Sequence, residues 1–168
     1  MNIDISKLSS RYEVRVLHEE DAEEILRLCE GNTQYYDYCE ARPSLEQVLQ
    51  DLRVTPPGVD RSDKYYLGFY QGETLMAVLD LIDGYPTPEI AFLGFFMMNR
   101  AVQGRGLGSA LIGELAAALR DRGKRAIRLG IDKGNPQSTH FWQKNGFAVI
   151  RELERPGWTV LLAEKGLE

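Results

Sequence analysis

Apolar and polar positions along this chain repeat at two periods, and the switches between them mark its elements. YEVRVL (12–17) alternates residue by residue, which predicts a strand, and EEDAEEILRLCE (19–30) brings Ala22, Ile25, Leu26 and Cys29 to one side of a helix. NTQYYDYCEARPS (32–44) has no clear period and is dense in aromatic and acidic residues. LEQVLQDL (45–52) reads as a second helix, stopped by Pro56-Pro57-Gly58. KYYLGFY (64–70) and TLMAVLDLI (74–82) read as two strands joined at Gln71-Gly72, a hairpin signal, and EIAFLGFFMM (89–98) as a long apolar strand.

Past that strand, Leu107, Ala110, Leu111, Leu115, Ala118 and Leu119 recur at helical spacing, with Gly123 where a helix C-cap belongs. RAIRLGID (125–132) reads as a strand. NPQSTHFWQKNGF (135–147) reads as a helix with Pro136 in its first turn and Asn145-Gly146 at its end, and FAVIREL with WTVLLAE closes the chain as a hairpin. The order β-α-α-β-β-β-α-β-α-β-β predicts an α/β (α+β) fold, one domain over residues 1–168 with a mixed, twisted sheet of about seven strands and about four helices. At 168 residues such a chain can bury roughly 70% of its unfolded surface without disulfides or metals.

Between the long strand and the next helix stands VQGRGLGSALI (102–112), with glycines at 104, 106 and 108. A bare turn needs one glycine; three, each costing roughly 0.5–1 kcal/mol relative to alanine, ask for a ligand that approaches the backbone closely. Successive N–H groups at the start of a helix make such a cradle for an anion, above all a phosphate. A nucleotide P-loop is excluded, because Gly108 is followed by Ser109-Ala110 and not by Lys-Ser/Thr. A dinucleotide fingerprint starting at Gly104 puts Ser109 where its third glycine or an alanine belongs.

Gln103-x-x-Gly106-x-Gly108 resembles the Q/R-x-x-G-x-G/A signature of the GNAT superfamily of acyl-CoA-dependent N-acetyltransferases. The 135–147 stretch is similar to that family's N-x-x-A-x-x-F-Y-x-x-x-G-F helix, with Asn135, Ser138, Phe141, Gly146 and Phe147 in register. The resemblance extends to the order of elements over nearly the whole chain and implies the GNAT fold. It implies acetyl-CoA as co-substrate, held by Phe96, Met97 and Met98 of the long strand, by Gln103, Gly104, Arg105, Gly106, Leu107, Gly108 and Ser109 of the loop, and by Asn135 and Trp142 of the last helix. It also implies acetyl transfer to a primary amine by direct attack on the thioester, with the Met98 backbone as oxyanion donor. Trp142 stands where the family usually has a tyrosine, often the general acid; an indole N–H donates hydrogen bonds but delivers no proton at neutral pH. His140, two residues away, is expected off the site.

For the general base, Glu89 at the head of the same strand stands near the glutamate of some histone-acetylating members, with Asp80, Asp83 and a water chain as rivals. The acceptor, a small-molecule or peptide amine, is expected against the segment between the first two helices, where Tyr35, Tyr36 and Tyr38 offer aromatic faces and Asp37 and Glu40 charge.

Charge and composition narrow the alternatives. A formal net charge of −5 argues against a nucleic-acid partner. No apolar run reaches the roughly 20 residues of a membrane span and the N-terminus lacks a signal peptide's pattern, so the cytoplasm is the expected location, with no membrane partner. Cys29 and Cys39 match no metal-ligand spacing, no metal is expected, and a disulfide is not expected in a reducing compartment. A homodimer stays open, as do two other functions: a non-catalytic acyl-CoA-binding regulator and a dinucleotide-binding redox domain.

Overall fold

The computed structural model describes residues 3–37 and 42–168. Among these, seven strands, β1 (Glu13–Val16), β2 (Lys64–Gln71), β3 (Thr74–Asp83), β4 (Ile90–Met98), β5 (Ala126–Asp132), β6 (Ala148–Arg155) and β7 (Trp158–Gly166), form one sheet in the order β1-β2-β3-β4-β5-β7-β6. All neighbours are antiparallel except β4 and β5. Five helices accompany them among the described residues: α1 (Ala22–Glu30), α2 (Thr33–Tyr36), α3 (Leu45–Arg53), α4 (Leu107–Asp121) and α5 (Pro136–Lys144). The predicted elements are all present to within a few residues. The addition is α2, a single turn inside the segment without a period. Tyr38, Cys39 and Glu40 lie outside the described residues.

The alternation of the strands sends apolar side chains to both faces, and each face is covered by its own helices. On one side Leu79, Leu81, Leu93 and Ile127 pack with Leu111, Ile112, Leu115 and Leu119 of α4, and with Trp142 of α5. On the other, Tyr66, Val78 and Met97 pack with Ile25 and Leu28 of α1 and Val48 and Leu52 of α3. β4 contributes to both: Phe96 and Met98 turn toward the α4 side, Phe95 and Met97 toward the α1 side.

The parallel pairing of β4 with β5 runs only from Ile90–Ala126 to Leu93–Leu129. Immediately afterwards β4 carries a bulge, because Asp80 faces Phe95 while its neighbour Leu81 faces Leu93, leaving Gly94 without an opposite residue. An extra residue in one strand bends it and sharpens its twist. β4 stays on β3 as far as Met98, β5 stays on β7, and a gap opens between them.

Asp80 fills the inside of the bulge. Its carboxylate accepts both bonds of the Lys64 ammonium, at 3.0 and 2.9 Å, in a buried pair, and a Cβ on Gly94 would come within 2.5 Å of Asp80 Oδ2. A second buried pair, Asp83 with Lys124, joins the far end of β3 to the start of β5. Both ion pairs rest on desolvated, well-oriented partners, where removing one member is far costlier than at the surface.

Gly94→Ala is therefore expected to destabilise the fold by about 1–3 kcal/mol, since the held Asp80 carboxylate cannot swing aside. Gly113→Ala, in α4 with open space around the new methyl group, should stabilise it by about 0.4–1 kcal/mol. Denaturant unfolding of the two variants checks both signs.

Candidate active site

The glycine loop lies directly beside the gap. Gly104 and Gly106 adopt φ of 81° and 74°, left-handed values that side chains rarely take, and around both a Cβ would meet only open space. Gly108 has another reason to be glycine: a Cβ there would press on Phe141 at 3.3 Å and on Met98 at 3.4 Å, so α4 packs close against β4 and α5. Gly106 is the N-cap of α4 and supplies no side-chain cap, while its carbonyl already accepts from Ala110 at 3.0 Å. The N–H groups of the first turn, Leu107, Gly108 and Ser109, have no acceptor within the helix and stand at its positive dipole end.

The gap face of β4 carries further unpaired backbone. Asn99 N–H donates to Met76 O at 2.7 Å, and the antiparallel ladder then alternates, so Phe96 and Met98 turn their N–H and C=O groups away from β3. The Met98 carbonyl accepts from the side-chain amides of Asn32 at 3.2 Å and Gln103 at 3.0 Å. Gln103 also donates to Asn32 Oδ1, and Asn32, buried at the end of α1, donates to Leu28 O at 2.9 Å. These contacts tie the loop, the end of β4 and α1 together. They leave the Phe96 and Met98 N–H groups facing the gap.

Together these elements line a cleft of about 360 Å3. Of the residues expected to hold the cofactor, Phe96, Met97, Met98, Gln103, Gly104, Gly106, Gly108, Ser109, Asn135 and Trp142 line it. Arg105 is exposed and does not line the cleft, nor does Leu107, whose half-buried side chain packs against the core. Asn135 is buried and caps α5, accepting from Ser138 N–H at 3.1 Å. Trp142, 8% exposed, sits in an aromatic cluster with Phe96 at 5.8 Å, Phe141 at 4.9 Å and Phe147 at 5.1 Å between ring centres. It is a wall of the cleft and a part of the core at once.

Some members were not foreseen. His140 lines the cleft, contrary to the expectation that it lies off the site, and so do Arg100 and Lys144, two cations suited to phosphate oxygens. Lys144 is the last residue of α5, where a cation complements the helix dipole; that signal alone does not reveal a ligand.

The carboxylates foreseen as bases are not brought to this cleft. Glu89 is exposed in the turn before β4, with its carbonyl accepting from Arg125 N–H at 2.8 Å. Seven to nine residues of strand separate it from Phe96 and Met98, on the order of 20–30 Å. Asp80 and Asp83 are held in their buried lysine pairs. Among the described residues no carboxylate lines the cleft. Of the expected acceptor residues, Tyr35 lines the cleft and Tyr36 lines a neighbouring cavity, whereas Tyr38 and Glu40 lie outside the described residues.

The sequence pattern of the Acetyltransferase (GNAT) family matches residues 20–147, from the start of α1 through the end of α5. This chain belongs to that family. The GNAT fold is shared with an acetyltransferase from Thermus thermophilus, which is 26% identical, with a TM-score of 0.73 and matched regions covering 92% of this chain and 96% of that one. The PaiA N-acetyltransferase of Thermoplasma acidophilum, solved in complex with coenzyme A, is 21% identical over 92% of this chain and 98% of its own, with a TM-score of 0.67. The ribosomal-protein-S18-alanine N-acetyltransferase of Escherichia coli is 14% identical over 92% and 93%, with a TM-score of 0.66. No curated protein sequence matches this chain closely enough to count as a relative. GNAT membership supports acyltransferase activity. Among the described residues, no group of three or more His, Cys, Asp or Glu side chains is arranged to hold a metal ion, and no helix is long and apolar enough to cross a membrane.

Gly106→Asp tests the cradle, since its carboxylate would project into the open space in front of the first-turn N–H groups. Juxtaposed like charges cost several kcal/mol, so coenzyme A affinity should fall by about 100-fold or more while the variant stays folded. An unchanged dissociation constant in the folded variant would overturn the assignment of the loop.

Proposed function

We propose that this GNAT protein is an N-acetyltransferase that moves an acetyl group from acetyl-CoA to a primary amine by direct attack within a ternary complex. The observation that carries this reading is the gap beside β4. It joins an anion cradle at the N-terminus of α4 to backbone donors on Phe96 and Met98 that the sheet leaves unpaired. A coenzyme thioester suits such a cleft: phosphates at one end want N–H groups and cations, and an amide-bearing arm can run along open strand backbone.

In this reading Gly106, Leu107, Gly108 and Ser109 hold the pyrophosphate through backbone N–H groups, with Arg100 and Lys144 near the remaining phosphate charge. Asn135 fixes the pantetheine arm while it caps α5, and Trp142 with Phe141 forms the apolar wall beside it. Acetyl-CoA supplies an activated acyl carbon. Met98, with Phe96, offers N–H groups to the negative charge that builds on the carbonyl oxygen as the amine nitrogen attacks, which is where preorganised donors lower a barrier most. The new C–N bond forms as the C–S bond breaks. The amine's proton passes to water in the cleft, since no described carboxylate reaches it, and the departing thiolate takes a proton from water in place of the usual tyrosine.

Trp142 in that tyrosine's place is the feature that favours a second reading, a regulator that binds acyl-CoA without turnover. Thiol release from acetyl-CoA across a panel of primary amines separates the two. Turnover with at least one amine is expected, and binding without turnover on any amine would leave the regulator. Within the enzyme, Trp142→Phe should lower turnover by at most about tenfold, because a true general acid contributes roughly 10²–10⁴. A loss of several hundredfold, with fold and cofactor affinity intact, would contradict this reading of Trp142 as a wall of the cleft.

A further inference from the structure

On the face of the sheet covered by α1 and α3 lies a second cavity, of about 180 Å3. Three of its walls are aromatic: Tyr36 of α2, Tyr66 of β2 and Phe95 of β4. It adjoins the coenzyme cleft, because Tyr35, which lines the cleft, sits edge-on both to Tyr36, at 5.0 Å between ring centres, and to Phe95, at 6.4 Å. α3 brings one carboxylate to it, Asp51, half-buried and accepting a hydrogen bond from the Gln47 side-chain amide at 2.8 Å.

The charges around this cavity do not balance. Lys64 is the cation near Asp51, but both oxygens of Asp80 already take its bonds. Arg42 lies at the exposed rim and pairs with Asp37 at 3.4 Å. Two carboxylates, Asp51 and Asp80, thus share one buried ammonium, and the surplus negative charge belongs to Asp51. Burial pushes the Asp51 carboxyl above its usual range, and it outweighs the Gln47 amide and the Lys64 charge, which both pull the other way. A cation entering the cavity would meet that carboxylate among three aromatic side chains, and a carboxylate and an aromatic ring face each attract one.

We propose that this cavity receives the second, cationic arm of a diamine acceptor, with its ammonium against Asp51 and its alkyl chain among Tyr36, Tyr66 and Phe95. The amino group at the other end then stands in the cleft beside β4. This rests on the acetyl-transfer reading above and names its substrate class. The cavity has room for on the order of half a dozen non-hydrogen atoms, which suits an unbranched aminoalkyl arm and not a sugar ring system or a folded protein surface. An acceptor with a neutral arm would fill the space but leave Asp51 without a cation.

The test is calorimetric titration of 1,4-diaminobutane into the wild-type protein and into Asp51→Asn, with coenzyme A present, alongside kcat/KM for acetyl transfer to 1,4-diaminobutane and to butylamine. Diamine affinity should fall about tenfold or more in the variant while coenzyme A affinity and melting temperature hold, as for loss of a hydrogen-bonded charge. In the wild type the diamine should exceed butylamine in kcat/KM by a similar factor. Equal diamine affinity in the two proteins, or equal kcat/KM for the two amines, overturns the proposal. Diamine binding that depends on Asp51, with no transfer to either amine, would keep the cavity and remove the transfer reading. If Asp51→Asn does not fold, wild-type binding of 1,4-diaminobutane against uncharged 1,4-butanediol decides, and equal affinities overturn the cation site.

Discussion

The parting of β4 from β5 is the constraint on which the rest of the molecule depends. A parallel pair satisfies the backbone of both strands, and here that pairing stops at Leu93 and Leu129 while β4 continues to Met98. Backbone left unpaired at the centre of a sheet is costly unless something else bonds to it. The protein answers in two ways. It covers the Met98 carbonyl with Asn32 and Gln103, and it leaves N–H groups of β4 facing a cleft. The bulge at Gly94 starts the divergence, and Asp80 with Lys64 fills the space that the bulge creates.

Once the strands part, the two faces of the sheet take different chemistry. The α4 and α5 side gathers N–H donors, two cations and a cluster of aromatic rings, a setting for a long phosphorylated ligand with an apolar arm. The α1 and α3 side gathers tyrosines and a carboxylate, a setting for a small cation. Asn32 connects the two sides, because one buried amide bonds at once to the end of α1, the end of β4 and the loop side chain Gln103. Two carboxylates of β3 are neutralised by buried lysines, which keeps Asp80 and Asp83 as parts of the scaffold.

What the sequence revealed follows from how local each cause is. The glycine loop was legible because positive φ at Gly104 and Gly106 and close packing at Gly108 each constrain a single residue. Pro136 in the first turn of α5 was legible for the same reason. The single turn α2 was not, since four residues carry no period. Glu89 shares its strand with Met98, but a strand is extended, and the same sequence that links them holds them far apart. His140 reaches the cleft although it is two residues from Trp142, because the cleft runs along the whole of α5 and touches more than one helix face. The cavity at Asp51 had no signature at all. It arises only when α3, β2 and the outward face of β4 come together.

The central claim, that coenzyme A binds in the gap through backbone N–H groups of the α4 N-terminus and of β4, is most directly tested by following backbone amide resonances as coenzyme A is titrated into the protein. The largest shifts are expected at Gly104–Ser109, at Phe96 and Met98, and around Asn135, with little change in β1, β2 or the β6–β7 hairpin. Saturable binding that leaves the Leu107, Gly108 and Ser109 amides unmoved would contradict it.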